Sequence, residues 1–127
     1  MTNLEQLRAK RAFAKAGEIA ETEGKKDFLS LARSLPAMLQ NNGLLATWAF
    51  LLSKDTAQHK AILNILLKHL RSDCFNFPIQ RDTPAAVFIH DWTGQTPLQG
   101  PQLMRLTAEA LAFSGWLKRA SEALCNQ

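Results

Sequence analysis

The chain contains few of the residues that most reactive sites require. Its 127 residues include two cysteines, three histidines and no tyrosine. Cys74 and Cys125 are too few and too isolated for a disulfide framework or a zinc site, so two free thiols are expected. No glycine-rich phosphate loop, nucleophile elbow or His/Glu pair at metal-binding spacing occurs in the sequence. The sequence therefore predicts no metal, no cofactor and no catalytic residue.

The histidines provide the only candidates for acid–base chemistry. His69 could meet Asp73 at a spacing of one helical turn, and His90 lies beside Asp91 in a loop. Neither histidine is accompanied by a nucleophile or a second carboxylate, so both are interpreted as surface or helix-end residues. We predict that the protein is not an enzyme.

Long apolar runs are absent, and so is a secretory signal. No uninterrupted apolar stretch approaches the ~20 residues needed to cross a bilayer. The first six residues, MTNLEQ, have neither a basic start nor an apolar core. With 46% hydrophobic and 20% charged residues, the composition predicts a cytoplasmic globular protein with no membrane partner, folded as a single domain over residues 1–127.

Glycine and proline lie at the edges of periodic segments, which is typical of a helical protein. The predicted fold is all-α: a compact single-domain bundle of about five to six helices with a long amphipathic C-terminal helix. We expect helices over residues 3–21, 27–41, 44–53, 56–71 and 85–90, and a last helix that begins at Pro101. Asn3 should cap the first helix and Asp55 the helix over 56–71, while Pro36 should kink or break the second.

Apolar stripes at helical spacing define the predicted core. On the first helix the stripe comprises small residues and two larger ones: Ala9, Ala12, Phe13, Ala16, Ile19 and Ala20. On the last helix the three–four spacing continues without a miss through Leu103, Leu106, Ala110, Phe113, Leu117, Ala120 and Leu124. Between the second and third helices, Gly43 ends a corner, Asn-Asn-Gly, whose residues tolerate a left-handed backbone.

A net charge of +4 favours association with polyanions. Basic side chains form three groups, on the first helix, on the helix over 56–71 and on the last helix: Arg8, Arg11 and Lys15; Lys60, Lys68 and Arg71; Lys118 and Arg119. For each group, a solvated and solubilising surface is the alternative interpretation. If the groups merge into one surface, they would bind a sugar-phosphate backbone by charge without reading bases.

Two segments resemble one known family. They are residues 35–54, LPAMLQNNGLLATWAFLLSK, and residues 107–123, TAEALAFSGWLKRASEA. The order and spacing of the two segments, and the total length of the chain, are similar to those of the small helical subunit of Cmr-type (type III-B) CRISPR effector complexes, the fifth Cmr protein family. The first helix resembles the family more loosely, and residues 74–100 match no part of it.

The resemblance implies a compact all-α subunit without catalytic activity of its own. Copies would stack head to tail beside backbone subunits that hold the guide RNA, and would contact a large Cas10-type subunit at one end. Target RNA would pass between the two filaments and be cleaved by the backbone subunits. Lys54, Lys118 and Arg119 lie inside the matching segments and are the first RNA-facing candidates.

An alternative function belongs to a different class. A free-standing helical nucleic-acid-binding or regulatory protein is compatible with the charge, although no recognition-helix pattern is found. Such a protein should bind one nucleic acid tightly and specifically by itself. The small subunit of a ribonucleoprotein should bind RNA weakly and without sequence preference by itself, and should assemble when its partners are supplied.

Overall fold

The described part of the chain consists of four α-helices and their connections. The structure, a computed structural model, describes residues 3–72, 74–75, 77 and 100–126. The helices are α1 (Leu4–Ala20), α2 (Lys25–Ser53), α3 (Ala57–Leu70) and α4 (Gly100–Leu124). Residues within the described ranges form no strand, so the predicted all-α class is confirmed.

The predicted count of five to six helices is higher than the four that are described. Residues 27–41 and 44–53, predicted as two helices, both lie in α2, whose two helical parts meet at a kink at Gly43. The helix predicted over 85–90 lies outside the described residues.

The bend in α2 occurs at Gly43, the glycine of the predicted corner. Its φ of 82° and ψ of 172° are the non-helical dihedrals inside the helix, in a region that is open to glycine and closed to most other residues. Of the two outcomes predicted at Pro36, a kink or a break, the break is wrong, because α2 continues through this residue. Proline has a φ compatible with a helix, and buried Leu35 and Leu39 on either side hold this stretch against the core.

Side-chain caps fix the starts of two helices. The Asn3 side chain accepts a hydrogen bond from the Gln6 amide at 2.9 Å, as predicted. The cap of α3 is Thr56, which accepts from the His59 amide at 3.2 Å. The prediction of Asp55 as this cap is wrong by one residue, since α3 begins at Ala57 and Asp55 pairs with Lys60 instead.

A single buried cluster draws on all four helices. Helix α4 packs mainly against α1 and α2, and α3 packs mainly against α2. The predicted stripe of α4 is buried from Leu106 to Ala120. On α1 the stripe is narrower than predicted: Ala12 and Ala16 are fully buried, but Phe13 is 40% exposed, because it lies about 100° around the helix from Ala12. No helix in the described ranges is long and apolar enough to span a membrane.

Candidate nucleic-acid interface

A basic groove, here called the α1–α3 groove, opens between helix α1 and the end of helix α3. It encloses about 360 Å³ and has part of its floor on α4. Its lining residues are Arg11, Ala14, Lys15, Ile65, Lys68, His69, Arg71, Ser72 and Phe113. None of these described residues is acidic. Parts of two basic groups predicted from the sequence therefore meet at this groove: α1 contributes Arg11 and Lys15, while α3 contributes Lys68 and is followed directly by Arg71. Arg8 and Lys60, the other members of these groups, do not line it.

A chain of polar contacts, here called the Glu109 network, connects lining residues of the groove to Glu109 and Arg8. Arg8 donates to Glu109 through two bonds, Nε to Oε2 at 2.8 Å and Nη2 to Oε1 at 2.7 Å. His69 Nε2 lies 2.9 Å from Glu109 Oε2, and its Nδ1 lies 3.2 Å from Arg11 Nη1. Arg11 Nη2 donates to Ser72 Oγ at 2.9 Å. The network therefore connects α1, α4 and the end of α3.

The partners of His69 determine its protonation. A guanidinium can only donate hydrogen bonds, so His69 Nδ1 must accept from Arg11 and carry no proton. The ring proton is then on Nε2 and is donated to Glu109. The ring also stacks on Phe113, with centroids 4.0 Å apart and planes at 13°, and meets the edge of Phe75. The His69 ring is thus neutral, and it is held by two aromatic contacts and by a hydrogen bond at each nitrogen.

Of the two interpretations of His69, a helix-end residue is confirmed and a surface residue is wrong. Although it lies in the last turn of α3, it is only 2% exposed. Its possible partner Asp73, and the other pair, His90 and Asp91, lie outside the described residues. Because both ring nitrogens of His69 are already engaged, the side chain serves the Glu109 network.

Electrostatics in the Glu109 network keep the carboxylate charged. Burial is the largest single influence on Glu109 and by itself would raise its pKa, but the hydrogen bonds from Arg8 and His69 and the electrostatic attraction of these side chains together outweigh it and lower the pKa to about 2. The bond to Glu109 raises the pKa of Arg8 against the opposing effect of burial. The pKa of His69 is lowered, with burial as the largest cause; the bond to Glu109 and its charge oppose the shift, and the charges of Arg11 and Arg8 add to the lowering.

Three of the predicted RNA-facing residues form ion pairs within the chain. Arg8 is committed to Glu109, which is only 7% exposed. Lys15 pairs with Glu18 at 3.4 Å, and Lys60 pairs with Asp55 at 2.7 Å. The bond from Lys60 lowers the pKa of Asp55. The exposed pairs of Lys15 and Lys60 contribute little to stability and can exchange partners. Arg8 cannot leave Glu109 without leaving a buried charge unpaired.

The remaining candidates lie at other places. Lys54, with its Nζ 5.4 Å from the centre of the Phe50 ring, lines a second cavity of about 390 Å³ together with Lys60. Lys118 and Arg119 are exposed on α4, and the Arg119 guanidinium lies over the Trp116 ring at 5.2 Å. The lining of the α1–α3 groove includes none of these residues. Among the described residues, no cluster of three or more potential metal ligands occurs.

Sequence reasoning missed the Glu109 network, although one signal for it was present. Glu109 lies three residues after Leu106 and four before Phe113, so it occupies the apolar stripe of the last helix. A carboxylate in such a stripe is almost always paired, and Arg8 was an available cation on the neighbouring helix. No comparable signal in the sequence identifies Ser72.

The fold and the groove define a small all-helical protein with a cationic surface. The sequence matches the family described as "CRISPR-associated protein (Cas_Cmr5)" over residues 4–124. The "CRISPR system Cmr subunit Cmr5" of Thermus thermophilus is 28% identical over 127 residues, which cover all of both chains. The crystal structure of a CRISPR-associated Cmr5 family protein from Thermus thermophilus superposes with a TM-score of 0.79 at 28% identity, covering 98% of each chain.

The chain belongs to the Cmr5 family of CRISPR-associated proteins. The resemblance of residues 35–54 and 107–123 is thereby confirmed, since both segments lie inside the matched range. The matched range also includes helix α1 and residues 74–100, so the expectation that residues 74–100 match no part of the family is wrong.

Proposed function

We propose that this protein is the non-catalytic small subunit of a type III-B (Cmr) CRISPR ribonucleoprotein and contacts the target RNA backbone without sequence specificity. The family membership and the name of the Thermus relative, a subunit of a CRISPR Cmr system, support this role. The observation that carries the RNA contact is the α1–α3 groove, because four cationic side chains from two elements surround one opening and none of the described residues in its lining is acidic.

The charge of the groove is available to a ligand. Arg11, Lys68 and Arg71 form no ion pair with any carboxylate in the described ranges. Lys15 has an exposed partner, Glu18, which a phosphate can replace at little cost. Arginine and lysine side chains neutralise phosphates on any sequence, and a subunit that must accept any target needs this kind of contact.

The proposed partners follow from the family. Copies of the chain would stack head to tail in a minor filament, which requires heterologous contacts between different faces of each copy. The filament would lie along the backbone subunits that carry the guide RNA and end at the Cas10-type subunit. We place the assembly in the cytoplasm.

Charge reversal of the groove tests the proposed RNA contact. The double variant Lys68→Glu with Arg71→Glu should weaken retention of target RNA by the assembled complex. Each lost phosphate contact should also reduce the slope of log affinity against log salt by about 0.7 for a single strand. The double variant Lys118→Glu with Arg119→Glu makes an equal change of net charge on α4. It tests separately the candidates that the family resemblance implies.

The control is Lys10→Glu with Lys26→Glu, which changes the net charge equally on exposed residues outside the groove lining. Its salt slope should match that of the unmodified protein. Unchanged RNA retention in a folded, incorporated groove variant would contradict the role of the groove. If only the α4 variant loses RNA, the contact surface lies on the last helix.

A further inference from the structure

We infer that His69 and Glu109 are positioning residues that present the Arg11 guanidinium to a phosphate in the α1–α3 groove. This inference rests on the proposed RNA contact of the groove. It differs from that proposal because neither His69 nor Glu109 would be a phosphate ligand. Both would act through the orientation of Arg11.

The geometry at Arg11 supports this role. Two of the five guanidinium N–H groups are used, one on His69 Nδ1 at 3.2 Å and one on Ser72 Oγ at 2.9 Å. Both acceptors are neutral, so the positive charge of Arg11 is not cancelled. The remaining three N–H groups make no hydrogen bond to the described residues and can serve a phosphate. A guanidinium fixed in advance loses less conformational entropy on binding than a free one.

The rest of the Glu109 network fixes the tautomer and the orientation of the His69 imidazole. Glu109 accepts the Nε2 proton of His69 and so leaves Nδ1 as the acceptor for Arg11. Arg8, which lies outside the groove lining, holds Glu109 with two bonds. Stacking on Phe113 fixes the plane of the imidazole ring. Each contact restricts the next, as the outer contacts of a metal-binding histidine do.

Nitrogen NMR of the His69 ring tests the first step without RNA. In the unmodified full-length protein at neutral pH, Nε2 should carry the proton and Nδ1 should not. A ring protonated at Nδ1, or at both nitrogens, would overturn the inference because Nδ1 could then not accept from Arg11. This measurement does not depend on whether any variant folds.

A double-mutant cycle tests the second step, with a mixed-sequence single-stranded RNA as the probe at low salt. His69→Phe keeps the aromatic ring and its stacking but removes both hydrogen bonds, and should weaken binding about fivefold. In an Arg11→Ala background the same change should have no further effect, since the residue it acts through is gone. The matched control is His59→Phe, the same change at a half-buried histidine outside the groove lining, which should leave affinity unchanged.

The outcomes separate this inference from the proposed function. If His69→Phe weakens binding equally with and without Arg11, its role is structural and the inference fails. If Lys68→Glu with Arg71→Glu weakens binding but His69→Phe does not, the groove binds RNA and only the positioning role is wrong. If no groove variant alters binding, the proposed RNA contact itself is wrong. Arg11→Lys, which keeps the charge without the planar fork, should reproduce the effect of His69→Phe.

Discussion

At the scale of single residues, the most consequential feature is the buried carboxylate of Glu109, which contacts His69 of the groove lining. Glu109 lies among apolar neighbours on α4 and is held by Arg8 and His69. A buried pair of this kind adds little net stability relative to an apolar pair of the same size. Removing one partner is costly, however, because the other charge stays buried. The position therefore links folding stability to pH.

Acid should unfold the protein in a manner that depends on Glu109. Its pKa is about 2 in the folded protein against 4.5 in the unfolded chain, so its stabilising contribution is present above pH 4.5 and is lost as the pH falls towards 2. That difference corresponds to about 3 kcal/mol of unfolding free energy. Glu109→Gln should remove this part of the pH dependence in urea unfolding measured from pH 7 to pH 2.

The control for this experiment is Glu18→Gln, which alters an exposed carboxylate paired with Lys15 and should change the pH profile little. His69 makes a separate contribution at higher pH in the unmodified protein. Its folded pKa lies below 6.5, so the unfolded chain takes up the proton first and stability falls as the pH drops below 6.5. An acid profile unchanged by Glu109→Gln would contradict the ion-pair account.

At the scale of helices, the bend of α2 at Gly43 decides how its two halves meet the core. Leu35 and Leu39 before the bend, and Leu44, Trp48 and Leu51 after it, are all buried. A straight helix of 29 residues would exceed about 40 Å in length, at about 1.5 Å per residue, and could not wrap the same core. The glycine conformation thus allows one continuous segment to cover two sides of the bundle.

Alanine at Gly43 should destabilise the protein by about 1–3 kcal/mol, because a Cβ makes the positive φ unfavourable. Space is not the obstacle, since an added Cβ would meet no atom within 4 Å. Gly115→Ala is the matched control: it lies inside α4, where an added Cβ meets Arg119 at an ordinary 4.0 Å, and should stabilise by about 0.5–1 kcal/mol. Chemical denaturation of both variants gives the comparison, and equal effects would contradict the account of the bend.

The elements also show which features a single sequence reveals. Regular apolar spacing predicted the buried face of α4 because that face repeats over many turns. Gly43 was identifiable because few residues suit its conformation. The sequence left a kink or a break open at Pro36, and α2 continues without a break. Burial of Leu35 and Leu39 favours the continuous helix, and this packing is not visible in the local sequence. The cap at Thr56 was missed by one residue because neighbouring Asp55 is an equally good capping residue.

At the scale of the whole molecule, tertiary packing creates the candidate site. Arg11 and Lys68 are far apart in sequence, and each belongs to a helical face that was predicted by itself. Their meeting depends on how α1 and the end of α3 lie around α4, which no local pattern specifies. The same packing assigns Arg8 to Glu109, although helical geometry alone placed Arg8 with Arg11 and Lys15.

The family assignment and the groove together support a subunit that works inside a larger assembly. An isolated groove with four cations should bind RNA weakly, in a manner that depends strongly on salt. Aligning several copies would place several grooves along one RNA strand. Once one groove binds, the strand is held at a high effective concentration near the other grooves, and the total affinity rises. Tight binding is therefore expected of the assembly and not of the single chain.

Co-purification of a tagged copy of the protein from its native host tests this account most directly. The complex should be analysed by mass spectrometry of the proteins and sequencing of the bound RNA. We expect a Cas10-type subunit, a repeated backbone subunit and short CRISPR RNAs. Recovery of the protein alone, or with one defined nucleic acid, would contradict the account and favour a free-standing nucleic-acid-binding protein.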